Sequence, residues 1–305
     1  MVDDCHLSSA PHSALNSLPP LGNSRMQVEL AEERVFRMTD RFTLEHAEGR
    51  AWSKRIEAFG AMARVTGLFA QPKDDEFEVI YRERRLQPFW RLTVSTSTAY
   101  ERTRDYAVKV PPEVREVTIG EQVLPATAGQ FTVKGLESCR EDTRRETLID
   151  GLSKQIAPGL STYLQHDAIE IDAGALAAAT AEGLVVVPPE AKASMVVRDV
   201  IASAIGKIDA DRVLEELVRV EAVDLYYRPV HAFRYRRAGK EAVVEFDAVT
   251  GEVRTGGATF EQYLGKVMDT QFLLDVGAET LNMVIPGANL AKMMIVKGMA
   301  LREKR

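Results

Sequence analysis

The chain has 305 residues, a formal net charge of −6, and 45% hydrophobic against 28% charged residues. That length can bury a substantial core and favours two domains, and the balance is that of a soluble globular protein, which argues against wholesale disorder and against a membrane bundle. The acidic excess disfavours nucleic acid as a partner, and Cys5 and Cys139 alone are too few for a disulfide framework or a cysteine-rich zinc site, so a reducing cytoplasm is the expected setting.

Residues 1–25 are rich in Ser, Pro, Leu and Asn, show no period and read as a disordered tail; they lack the basic start and apolar stretch of a secretory signal, and Met26 is an alternative start. Residues 26–135 read as a first α/β unit. Val28, Leu30, Val35 and Phe36 form a strand or short helix. Thr43 caps a helix that carries Leu44, Ala47, Ala51, Ile56 and Phe59 on one face. Three strands are expected next, around Phe77–Tyr81, from Trp90 to Val94 after Pro88, and from Tyr106 to Val110 before Pro111-Pro112, with Val114, Val117 and Ile119 extended beyond them.

Residues 136–182 have helical composition, with the charged run Glu137–Arg145 followed by Leu148, Leu152, Ile156 and Leu160, and read as a connector. Residues 183–257 read as a second unit. Met195, Val196, Val200, Ile201 and Ile205 give a helix face, strands follow at Val218–Tyr227 and His231–Tyr235, and Ala238-Gly239 turns onto Ala242, Val244 and Phe246. In Asp247-Ala248-Val249-Thr250-Gly251, Asp247 can accept from backbone amides and Gly251 can take positive φ. Residues 258–305 are an apolar tail that holds Met283, Met293, Met294 and Met299.

The two units share a pattern: Arg84-Arg85-Leu86-Gln87-Pro88-Phe89-Trp90 in the first and Tyr226-Tyr227-Arg228-Pro229-Val230-His231 in the second. The expected fold is therefore α+β, with two related α-β-β-β units built on antiparallel sheets, a helical connector and C-terminal apolar helices. Residues 188–253, through their helix, hairpin and closing Asp247-x-x-Thr250-Gly251, resemble a PepSY-type domain. That resemblance implies a small non-catalytic module that contacts other proteins, often beside peptidases. The first copy lacks the closing motif.

Candidate chemistry is sparse. His166, Asp167, Glu170 and Asp172 could hold a divalent cation and support a weak metal-dependent hydrolase, but their spacing matches no named site and a solvated acidic loop explains them as well. His231 takes the place that Trp90 holds in the first copy and reads as a packed histidine in preference to a pH sensor. Phe233-Arg234-Tyr235-Arg236-Arg237 interleaves aromatic and basic residues, which a strand with one buried face also produces. In the tail, Pro286-Gly287, Lys292 and Lys297 spoil a membrane span. Met283, Leu290, Met293, Met294, Val296 and Met299 are the candidate partner-binding residues of an adaptable helix. The expected function is non-enzymatic, binding a protein partner or self-associating, with no cofactor. The alternative is peripheral attachment to a membrane surface through the tail.

Overall fold

The computed structural model describes residues 26–60 and 73–256, together with the backbone of 292–295. In chain order they form β1 (Met26–Leu30), β2 (Glu33–Met38), α1 (Leu44–Ser53), α2 (Arg55–Ala58), β3 (Glu78–Lys109), β4 (Glu116–Ile119), β5 (Gln122–Pro125) and β6 (Gln130–Asp150). A 3-10 helix (Pro158–Gln165), β7 (Ala168–Ile171), α3 (Ala173–Ala181), β8 (Val185–Val186), α4 (Ala193–Ala204), β9 (Arg212–Arg237), β10 (Lys240–Asp247), β11 (Val253–Thr255) and β12 (Lys292–Ile295) complete the order. Strands hold 53% and helices 21% of this structure. The expected α+β duplication is thereby overturned in favour of a β-rich fold around one mixed sheet of ten strands, with β4 and β5 as a separate hairpin.

Two long strands explain the difference. β3 and β9 pair antiparallel from Glu78·Arg236 to Glu101·Arg212, so the two copies of the shared pattern lie face to face in one ladder, centred on Gln87·Arg228. Each strand runs straight through its proline. Along its other edge β9 pairs in turn with β1 (residues 216–220), β2 (223–227) and β10 (230–237), and Pro229 stands in the gap between the last two. Pro88 likewise stands between the β8 pairing at 85–86 and the β6 pairing from 89 onward. A proline lacks the N–H that a ladder needs, and at a change of partner none is needed. The Pro88 and Pro229 carbonyls accept from Gly151 N at 3.1 Å and Ala248 N at 3.0 Å.

The charged run 137–145, expected as helix, lies inside β6, which among the described residues pairs only with β3 and so forms an edge, where exposed charges are tolerated. The expected C-terminal helix is overturned at residues 292–295, whose backbone pairs parallel with β1. The remainder of the tail lies outside the described residues, as do residues 1–25.

Three clusters pack this sheet. Trp90, Leu92, Val223, Leu225 and Tyr227 meet Val196, Val197, Val200 and Ile201 of α4 and Leu176 of α3. On the same side, Phe233, Tyr235, Val244 and Phe246 meet Ala47 and Ala51 of α1. Thr43 caps α1 by accepting from His46 N at 3.3 Å. The helix that precedes β3 therefore covers β9 and β10, while the helix that precedes β9 covers β3 as well. Each helix thus covers strands from the other half of the chain. On the opposite side Phe89, Met38, Leu148, Leu160 and Tyr163 form the third cluster, with Phe36, Tyr226 and Phe89 stacked in series.

Candidate functional site

The ladder between β3 and β9 ends at Glu101, but that between β3 and β6 continues to Lys109·Gln130. Residues 102–109 and 130–137 thus form a two-stranded ribbon, which at a strand's rise per residue projects about 25 Å past the sheet. The β4–β5 hairpin follows it in the chain between the two arms. Among the described residues no helix packs on the ribbon, which exposes Tyr106, Val108, Ile119, Val123 and Leu136. It is braced from within: the Tyr106 ring lies over Gly135, where any Cβ would stand 2.8 Å from it, and Glu137 accepts from Tyr106 Oη and from Arg102 Nε. The Tyr106 hydroxyl and then the Arg102 guanidinium hold the Glu137 carboxyl below its usual range.

At the foot of the ribbon, residues 140–146 of β6 are exposed on both faces. Among the described residues the edge is closed only at its upper end, where Ala157 N donates to the Leu148 carbonyl and Asp150 N to the Gln155 carbonyl, both at 2.9 Å. A cavity of about 330 Å³ opens beside this strand beneath the loop that follows α4. Hydroxyls of Thr96, Thr98, Tyr100 and Thr143 line it, because here the β3 face turns from apolar at Leu92 and Val94 to polar.

Elsewhere several buried charges are paired with one another. Arg228 donates to Asp247 Oδ2 at 2.7 Å and to Gln87 Oε1 at 2.9 Å, and Tyr163 Oη donates to the same Asp247 oxygen. The other oxygen of Asp247 accepts from Val249 N at 3.0 Å and Thr250 N at 2.9 Å, and Gly251 has φ 77°. Burial pushes the Tyr163 hydroxyl up to about 12. Arg85 is paired with Glu245 and lies 3.7 Å from Glu83, whose carboxyl burial pushes up to about 7 against the pull of Arg85. Asp224 sits between Arg34 at 2.8 Å and Arg91 at 3.3 Å. Glu33 is pushed up to about 8 by burial, with neither oxygen hydrogen-bonded. These groups brace a sheet interior and present no nucleophile beside a base.

The residues singled out from sequence scatter. His166 ends the 3-10 helix with Nδ1 3.3 Å from Arg41 Nη1; Glu170 lies exposed in β7; and Asp172 caps α3 by accepting from Ala175 N at 2.8 Å. Asp167 gives only its carbonyl, to Thr39 N at 3.1 Å. Among the described residues no group of three or more His, Cys, Asp or Glu side chains is placed to hold a metal ion. His231 is buried, and desolvation lowers its pKa, partly offset by Asp40. Phe233 and Tyr235 are buried, whereas Arg234 and Arg236 turn outward to Glu241. Of the tail residues, Met293 and Met294 lie in β12, and Met283, Leu290, Val296 and Met299 fall outside the described residues. No described helix is long and apolar enough to cross a membrane. The ribbon was missed in the sequence because its exposed apolar residues alternate as core residues do; the cluster Pro111-Pro112 with Gly120 was its local signal.

The fold thus defines a class, a β-rich protein built on one mixed sheet with a projecting ribbon. No family model, no curated protein and no solved structure matches the chain.

Proposed function

We propose that this chain is a non-enzymatic protein-binding module whose contact element is the β3–β6 ribbon with its β4–β5 hairpin. The observation that carries this reading is the placement of Tyr106, Val108, Ile119, Val123 and Leu136 in contact with solvent on an arm outside the three core clusters. Large apolar side chains on a braced, projecting strand pair favour a partner that buries them. The resemblance of residues 188–253 to modules that contact other proteins points the same way. A metal-dependent hydrolase draws no support from the positions of His166, Asp167, Glu170 and Asp172, and the ribbon replaces the tail as the leading contact surface.

The test compares the whole chain with Val123→Glu and Leu136→Glu variants. A partner captured at stoichiometric yield, identified and rebound as purified protein, is expected to lose at least about tenfold in affinity for each variant at unchanged melting temperature. Equal binding by both variants would remove the ribbon from the interface.

A further inference from the structure

We propose that β6 pairs with the β6 of a second copy of this chain, antiparallel, about a two-fold axis at Thr143. This deepens the protein-binding reading by naming one partner, and it uses a surface separate from the ribbon's tip.

Three observations carry it. First, β6 pairs only with β3 among the described residues, so its outer edge is open below Leu148. Second, the outward direction of the backbone is fixed. The Leu148 carbonyl and the Asp150 N–H both point outward to residues 155–157, and the β3–β6 ladder runs without a register shift. The even-numbered residues Arg140, Asp142, Arg144 and Glu146 therefore present N–H and C=O groups to the open edge. Third, the side chains of this stretch, Arg140-Glu141-Asp142-Thr143-Arg144-Arg145-Glu146, are charge-complementary to their own reversal.

About an axis at Thr143, Arg140 faces Glu146, Glu141 faces Arg145 and Asp142 faces Arg144, each taken twice by symmetry. The pairs that would exchange backbone hydrogen bonds, Arg140 with Glu146 and Asp142 with Arg144, are the ones whose backbone groups already point outward. Neighbouring registers are penalised. An axis at Arg140, Glu141, Asp142, Arg144 or Arg145 sets a charge against its own copy, and one at Cys139 sets Glu141 against Glu137 and Arg144 against Lys134. A charged edge normally repels added strands. Here the same charges disfavour the five neighbouring registers that place a charge against its own copy, and they give the Thr143 register three opposite-charge pairs, each made twice. Glu141 and Arg145 have no hydrogen bond or ion pair among the described residues and are free to make the new contact. The partner's residues 155–157 stand beside its own Leu148, so the shared ladder stops at Arg140.

Sedimentation equilibrium of the full chain tests this, with Glu141→Arg, Arg145→Glu and the double swap Glu141→Arg/Arg145→Glu. A dimer is expected whose dissociation constant rises at least about tenfold in either single variant and returns to the wild-type range in the double. A wild-type monomer at every concentration, a dimer indifferent to the single changes, or a double swap that fails to restore it would each overturn the proposal. Val123→Glu leaves this dimer unchanged, so failure of the ribbon reading and failure of this one are told apart.

Discussion

Asp247 divides its two oxygens between two tasks, one closing the turn onto Val249 N and Thr250 N, the other neutralising Arg228. Removing it strands a buried guanidinium and two amides, so Asp247→Ala is expected to cost about 3–5 kcal/mol in urea unfolding, the scale of a broken buried pair. Asp247→Asn keeps an acceptor for the turn and should cost less. Glu33 and Glu83 give the pH dependence. Their folded pKa values lie above the ordinary value of 4.5, at about 8 and about 7, so between pH 4.5 and those values the folded chain holds protons that the unfolded chain has released. Their contribution is therefore complete below pH 4.5 and is lost as pH rises to about 8, at no more than about 1.4 kcal/mol per pH unit for each group. Unfolding midpoints measured from pH 5 to 8.5 should fall, and Glu33→Gln should flatten the fall; a profile unchanged by that substitution would refute the assignment.

The elements join where single residues permit close approach. Gly151 donates to the Pro88 carbonyl at 3.1 Å, and a Cβ on it would stand 2.6 Å from that oxygen. Gly151→Ala is accordingly expected to destabilise by about 1–3 kcal/mol, read in thermal melts, because the contact is with backbone and cannot rotate away. Some of this level was legible in the sequence: Thr43 as a cap and Asp247 to Gly251 as a turn are local devices, and local devices show in local sequence. Pro88 and Pro229 misled because a proline ends a strand only when its missing N–H faces a partner, and which residues face a partner is decided by β8, β6, β2 and β10, far off in the chain. Glu137–Arg145 misled because charge density suits a solvated helix and an open sheet edge alike. The pairing of Gln87 with Arg228 had no sequence signal at all.

At the scale of the molecule, the long β3–β9 ladder joins the first and second halves of the chain into one cooperative body. Trp52 packs against Tyr235 under the first helices, and Trp90 donates to the Ala191 carbonyl at 3.2 Å beside α4, so the chain's two tryptophans report on its two roofs. Fluorescence of Trp52→Phe and Trp90→Phe variants should each give a single transition, and wild-type transitions followed by the two residues should coincide. Separate midpoints would mean two independent domains. The candidate contact surfaces also belong to this scale, since both lie on β6, one along its outer edge and one where β3 and β6 continue past the end of the β3–β9 ladder.

The successive partners of β9 carry a consequence for synthesis. β1, β2 and β3 are made early, yet the strand that ties all three together is completed only when Arg237 leaves the ribosome. Until then β3 has one face of its ladder open and α1 has no β10 to cover. The nascent chain cannot settle its first half ahead of its second, as sequential domains do. Its folding must wait for long-range closure, which makes it slow and makes the growing chain a client for whatever shields exposed strands in the cell.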